Sequence, residues 1–191
     1  APVAEAWSGT LNTCDTANFT FSVPYTFVSG SNNLKVYSTL PNGTADAWPA
    51  NDTARFTLCA AMSGTYTIGT TGDFTTFTQA VAALQCGGVS GPVTFNVATG
   101  TYPEQVSIGI VTGVSASNTV TFQSATSNAA DVNLTYSAPS TANFTLRLNG
   151  SCYYKFRNLT LSATNATYGT VLTYLNNASS DSFYNVIFNG V

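Results

Sequence analysis

The chain has 191 residues, 44% of them hydrophobic and only 7% charged, with a net charge of -3. That supplies apolar material for a core and too many aromatics for a disordered chain. Its five basic residues, Lys35, Arg55, Arg147, Lys155 and Arg157, are too few for the cationic surface that nucleic acid requires. Lys and Glu are few while Thr, Val, Phe and Tyr are many, which favours strands over helices. No apolar run approaches the roughly 20 residues of a membrane helix, so a membrane-spanning chain is not expected. The chain opens "APVAEAW", without Met, basic leader or apolar leader, and reads as a processed protein or a piece of a larger one.

Residues 1–62 read as short antiparallel strands. "NFTFSV" (Asn18–Val23) alternates Phe19, Phe21 and Val23 with polar residues. "NNLKVYSTL" and "TARFTLCA" are two more candidates, joined by the turn-rich "PNGTADAWPAND". About four strands are expected, fewer than the roughly seven of a full immunoglobulin-like sandwich. The region is therefore expected to be part of a sandwich. Cys14, Cys59, Cys86 and Cys152 make an even count with no Cys/His metal spacing, so disulfides in an oxidising, extracellular setting are expected. A Cys14–Cys59 pair would close a loop worth roughly 4 kcal/mol in the chain-entropy model. The partners of Cys86 and Cys152 stay open.

The boundary is expected near "AMSGTYTIGTTGD". A helix follows at about 74–86, where "DFTTFTQAVAALQCGG" sets Phe77, Val81 and Leu84 on one face. Asp73 or Thr75 can cap its start and Gly87-Gly88 can end it. Then a repeat appears. "VTFNV" (Val93–Val97) returns as "VTFQS" (Val120–Ser124), and "FTLRLNG" (Phe144–Gly150) as "VLTYLNN" (Val171–Asn177). "FRNLTL" (Phe156–Leu161) returns as "FYNVIF" (Phe183–Phe188). Every offset is about 27 residues, with no helix inside the repeat. Residues 63–191 are thus expected to form a helix-capped, right-handed parallel β-helix with three short strands per coil. The chain as a whole is all-β.

On this layout Phe156 stacks on Phe183 and Asn158 on Asn185, the amides bonding along the axis at tight corners. Arg147 and Tyr174 share one outward position of successive coils and are possible ligand-facing residues. The helix covers the open face of the first coil. The last coil, around Phe183 and Phe188, is expected to continue into further chain.

Carbohydrate chemistry on such a scaffold needs clustered carboxylates or a base. Beyond the helix only Glu104, Asp131 and Asp181 remain, at different coil positions. Asp131 and Asp181 read as turn residues. No catalytic residue, metal or cofactor is assigned.

At "DAWPANDT" and "GTYTIGTTGDFTTFTQAVAALQCGGVSGPVTFNVATGTYPEQVSI" the chain resembles secreted surface proteins of Bacteroidetes, including gliding-motility adhesins. In these a CARDB-like sandwich precedes a pectin-lyase-like β-helix. The resemblance implies export by the type IX secretion machinery and O-glycosylation of Asp-Thr-Ala motifs, which would fall on Thr16 and Thr53. The function expected is a non-enzymatic structural or adhesive segment at the bacterial cell surface, binding polysaccharides or other surfaces. The alternatives are the N-terminal part of a β-helical polysaccharide lyase or glycoside hydrolase, and a self-assembling fibre subunit.

Overall fold

The computed structural model describes residues 3–10, 16–28, 30–40 and 53–191. Cys14 lies outside the described residues, and so does the turn-rich connection 41–52.

Two strands, β1 (Gly30–Tyr37) and β2 (Thr53–Ala60), pair antiparallel with Leu34 opposite Phe56. Among the described residues before Thr53 there is no other strand. Asn18–Val23 was expected to be one, but it runs unpaired and exposed. Alternation alone does not make a strand where no neighbour takes the backbone hydrogen bonds. Glu5 holds this stretch instead, accepting from Ser22 N–H at 2.8 Å and Ser22 Oγ at 2.7 Å.

The next strand, β3 (Met62–Ile68), lies where a boundary was expected. It pairs parallel with β4 (Val89–Val97), Tyr66 beside Phe95. Between them runs α1 (Phe77–Gly87). The helix starts later than expected because Asp73 is already engaged, accepting from Thr67 N–H and Oγ1, both at 2.8 Å. Thr76 is the N-cap instead, its Oγ1 accepting from Gln79 N–H at 3.1 Å. A cap of this kind is worth about 1 kcal/mol. At the other end Gly88 adopts φ +71 and returns its N–H to Leu84 O at 2.8 Å.

The remaining strands wind in three-strand coils. The first coil contains β4, β5 (Gly100–Pro103) and β6 (Val106–Ile108). The second contains β7 (Val120–Ser124), β8 (Val132–Tyr136) and β9 (Leu146–Asn149). The third contains β10 (Tyr154–Arg157), β11 (Thr160–Ala163) and β12 (Leu172–Leu175). A fourth begins with β13 (Ser182–Tyr184) and β14 (Ile187–Asn189). Every strand pairs parallel with its counterpart in the next coil, giving sheets β13-β10-β7-β4-β3, β14-β11-β8-β5 and β12-β9-β6. This is a parallel β-helix.

The core is a set of inward columns. Phe95, Phe122, Phe156 and Phe183 stack ring on ring, with centroids 4.7, 5.7 and 5.0 Å apart. Tyr102, Leu134, Leu161 and Phe188 form a second column. Ile108, Leu148 and Tyr174 form a third. Helix α1 closes the first coil with Phe77, Ala80, Val81, Ala83 and Leu84 buried. Phe77 meets Phe122 at 5.7 Å and Tyr102 at 5.2 Å. Burying each such ring contributes roughly 1.5–3 kcal/mol.

The disulfide joins Cys59 of β2 to Cys86 of α1, with Cα atoms 5.6 Å apart. The supposed Cys14–Cys59 pairing is thereby corrected: α1 packs beside β2, and the side chain within reach of Cys59 is that of Cys86. Gly87 allows the approach, since a Cβ there would collide with Ala60 O. Cys152, also a disulfide candidate, is a free thiol at the corner before β10, with its Sγ 3.6 Å from Ser179 Oγ.

Candidate functional site

The coil corners come first, because they aim the strands. Asn158 and Asn185 both sit at positive φ, 53° and 50°, which asparagine tolerates. Asn185 Nδ2 donates to Asn158 Oδ1 at 2.9 Å, and Asn176 Nδ2 donates to Asn149 Oδ1. Phe156 lies over Phe183 at 11° between ring planes.

The acids lie apart from one another. Glu104 holds the cap helix onto the first coil. Its Oε1 accepts from Phe77 N–H at 3.0 Å, and its Oε2 accepts from Thr78 N–H at 2.8 Å and Thr78 Oγ1 at 2.7 Å. These are donors a helix start leaves unmet. Asp131 stays in its turn, accepting from Thr126 Oγ1 at 2.6 Å and Asn128 Nδ2 at 2.9 Å.

Asp181 was expected to be a turn residue. It instead stands in the coil above Tyr154, in the column that begins Val93, Val120, Tyr154. One oxygen accepts from Tyr154 N–H at 2.8 Å; the other is buried without a partner. Burial raises its carboxyl above the ordinary aspartate value, and the Tyr154 bond partly offsets this. Tyr154 OH is likewise buried and unpartnered, and burial pushes its phenol far up, with Asp181 and Cys152 adding to the effect. Tyr174 is raised by burial first and Asp181 second. Buried polar groups without partners are uncommon, and perturbed titrating groups gather at functional sites. An acid in an otherwise apolar inward column was the sequence signal for this cluster.

Arg147 lies on the outward face of the three-stranded sheet, between Ser107 and Thr173 in register. Its guanidinium rests 3.7 Å from the centroid of the Phe144 ring, and its Nε has no partner. Tyr174 does not share its position. The register sets Thr173 beside Arg147 and Tyr174 beside Leu148, one residue off the repeat. Tyr174 therefore continues the inward column, 45% exposed because the fourth coil has no strand over it among the described residues. Thr16 is exposed, and Thr53 is half-buried opposite Tyr37 at the start of β2.

Among the described residues no group of three Cys, Asp or Glu lies together as a metal would need. No described helix is long and apolar enough to cross a membrane. The Cys59–Cys86 disulfide belongs to an oxidising, extracellular compartment.

No protein-family model matches the chain, and no curated protein matches it. Solved structures do. A deglycosylated pectin methylesterase from Aspergillus niger matches at TM-score 0.50 and 23% identity, over 68% of this chain and 44% of its own. The same enzyme in penultimately deglycosylated form matches at TM-score 0.47 and 24% identity, over 66% and 43%. The chain thus spans less than half the length of these structures. At this identity the shared feature is the β-helix fold. A non-enzymatic adhesive segment was expected; the solved chain that shares the fold at TM-score 0.50 is instead an enzyme, a pectin methylesterase.

Proposed function

We propose that this chain is the cap and first coils of an extracellular β-helical enzyme acting on a polysaccharide. The observation that carries the reading is Arg147. A guanidinium held over Phe144 stands in the middle of an outward polar row, its Nε buried without a partner on the protein. Such a group is pre-oriented for a carboxylate or ester oxygen on a sugar. The long open face suits a polymer better than a small molecule, which needs an enclosing pocket. Ester cleavage fits better than glycosidic cleavage. Glycoside hydrolysis needs two facing carboxylates, and Glu104, Asp131 and Asp181 are each tied into separate places. The pectin methylesterase likeness supports the same direction. Residues 1–62 are proposed as a leading unit of sandwich type, and Thr16 and Thr53 as O-glycosylated positions in a protein of Bacteroidetes type.

The test incubates the purified protein with methyl-esterified pectin and with a polysaccharide panel. Methanol release is expected, and Arg147→Ala should lower kcat/KM roughly 10- to 100-fold, the loss of one charge-assisted contact. New reducing ends or unsaturated products without methanol would replace esterase by hydrolase or lyase. No turnover on any substrate would overturn the proposal.

A further inference from the structure

The outward face of the five-stranded sheet carries a second pattern. Two rows run along the β-helix axis in register. One is Thr65, Thr94, Thr121, Lys155, Ser182; the other is Thr67, Asn96, Gln123, Arg157, Tyr184. The alternate residues of these strands fill the core, so these side chains point away from it. Lys155 and Arg157 are two of only five cations in the chain, set side by side two residues apart. At about 3.3 Å per residue their Cα atoms are roughly 6.6 Å apart. No carboxylate occupies an outward position of these five strands. Asp73 lies at the far end, bonded to Thr67. Neither cation makes a salt bridge to a described residue. Tyr184 follows Arg157 in register, one strand spacing of about 4.8 Å away, and is 70% exposed. Gln123 Nε2 donates to Asn96 Oδ1 at 2.9 Å, which orients the amides of that row.

We propose that this face binds an anionic polysaccharide, a polyuronate, separately from the Arg147 face. This assignment rests on the reading that the protein meets a polysaccharide, and it names which kind. Two adjacent unpaired cations select carboxylates from a chain whose net charge is otherwise negative. The exposed Tyr184 ring offers a flat surface to a sugar face. Thr65, Thr94, Ser182 and the amides of Asn96 and Gln123 offer hydroxyl and amide partners along one polymer direction. A nucleic acid would need more cations than the two present here. A protein partner would call for an apolar patch core, which these rows lack.

The experiment measures binding of the purified protein to polygalacturonate and to neutral dextran by calorimetry, at low and high salt. The unmodified protein should prefer polygalacturonate, and 0.5 M NaCl should weaken that binding severalfold. Lys155→Gln/Arg157→Gln should lower affinity at least 10-fold, and Tyr184→Ala about 5-fold. Lys155→Arg/Arg157→Lys should keep it. Lys35→Gln, which removes an exposed cation from β1 instead, should leave affinity within twofold. Binding that is equal for both polymers, unaffected by salt, or unchanged in the Gln pair would overturn the proposal. Loss of binding in the Gln pair with no turnover anywhere would sustain this face while removing the enzyme reading. Turnover with unchanged binding in the Gln pair would do the reverse.

Discussion

The ring of Phe156 lies flat over that of Phe183, with centroids 5.0 Å apart and 11° between their planes. The two residues hold one position of consecutive coils. Below them Phe122 and Phe95 extend the same column down to the cap helix through Phe77.

Truncating the middle of that column should be costly. Phe156 is only 2% exposed. Phe156→Ala should destabilise the fold by about 3–5 kcal/mol, the transfer loss plus the cavity left behind. Phe156→Leu should cost far less, since it keeps most of the volume. Urea denaturation followed by fluorescence or circular dichroism checks both. An Ala variant within 1 kcal/mol of the parent would mean that the column does not carry the core.

The corner amide should be sensitive to backbone as well as side chain. Asn158 holds φ 53° and accepts from Asn185. Asn158→Val should lose about 1–2 kcal/mol from the left-handed backbone and about 1 kcal/mol from the hydrogen bond. Asn158→Gly should lose chiefly the hydrogen bond. Equal stabilities for the two variants would refute the backbone part.

Reduction should release the N-terminal strand pair before it affects the coils. The Cys59–Cys86 bond closes a span of 27 residues, worth roughly 3.5 kcal/mol in the chain-entropy model. Limited proteolysis under reducing conditions should cut around β1 and β2 first, leaving a resistant fragment that begins near β3. Peptide mapping without reductant should recover residues 59 and 86 in one linked species. A Cys59–Cys152 or Cys86–Cys152 species would contradict the structure.

Two aspartates should show opposite pH behaviour. The folded-state pKa of Asp181 is raised, so the native state binds the proton more tightly than the unfolded state, and stability falls as pH rises through the raised value. Asp181→Asn should therefore be more stable than the parent at neutral pH, with the advantage disappearing in acid. Asp73 is lowered by its Thr67 bonds, so its contribution is present above the ordinary aspartate pKa and is lost as pH falls through the lowered value. Asp73→Asn should weaken the protein at neutral pH and converge with it in acid. Melting temperatures across pH 2.5–8 decide the matter, and parallel curves for the two variants would sink it.

Much of the coil region was legible because a parallel β-helix places like residues over like. The recurrence of Phe156 at Phe183 and of Asn158 at Asn185 gave their positions directly, and the Phe77, Val81, Leu84 spacing gave the helix face. Recurrence fails where turns change length. Between Ser124 and Val132 the chain takes seven residues where the next coil, between Arg157 and Thr160, takes two, so Val120 meets Tyr154 at a spacing longer than the repeat. On β12 the register falls one residue short, which moves Tyr174 from beside Arg147 to above Leu148. A period read along the chain does not register such slips, because the hydrogen-bond ladder decides which residues meet.

Composition and recurrence by themselves determined the all-β class, the capping helix, the inward columns and the asparagine corners. These follow from local geometry and a fixed repeat. The tertiary structure alone decided the partner of Cys59, the burial of Asp181 against Tyr154, and the meeting of Arg157 with Tyr184. Each is a contact between segments whose distance along the chain says nothing of their distance in space until the coils have stacked and the cap helix has docked.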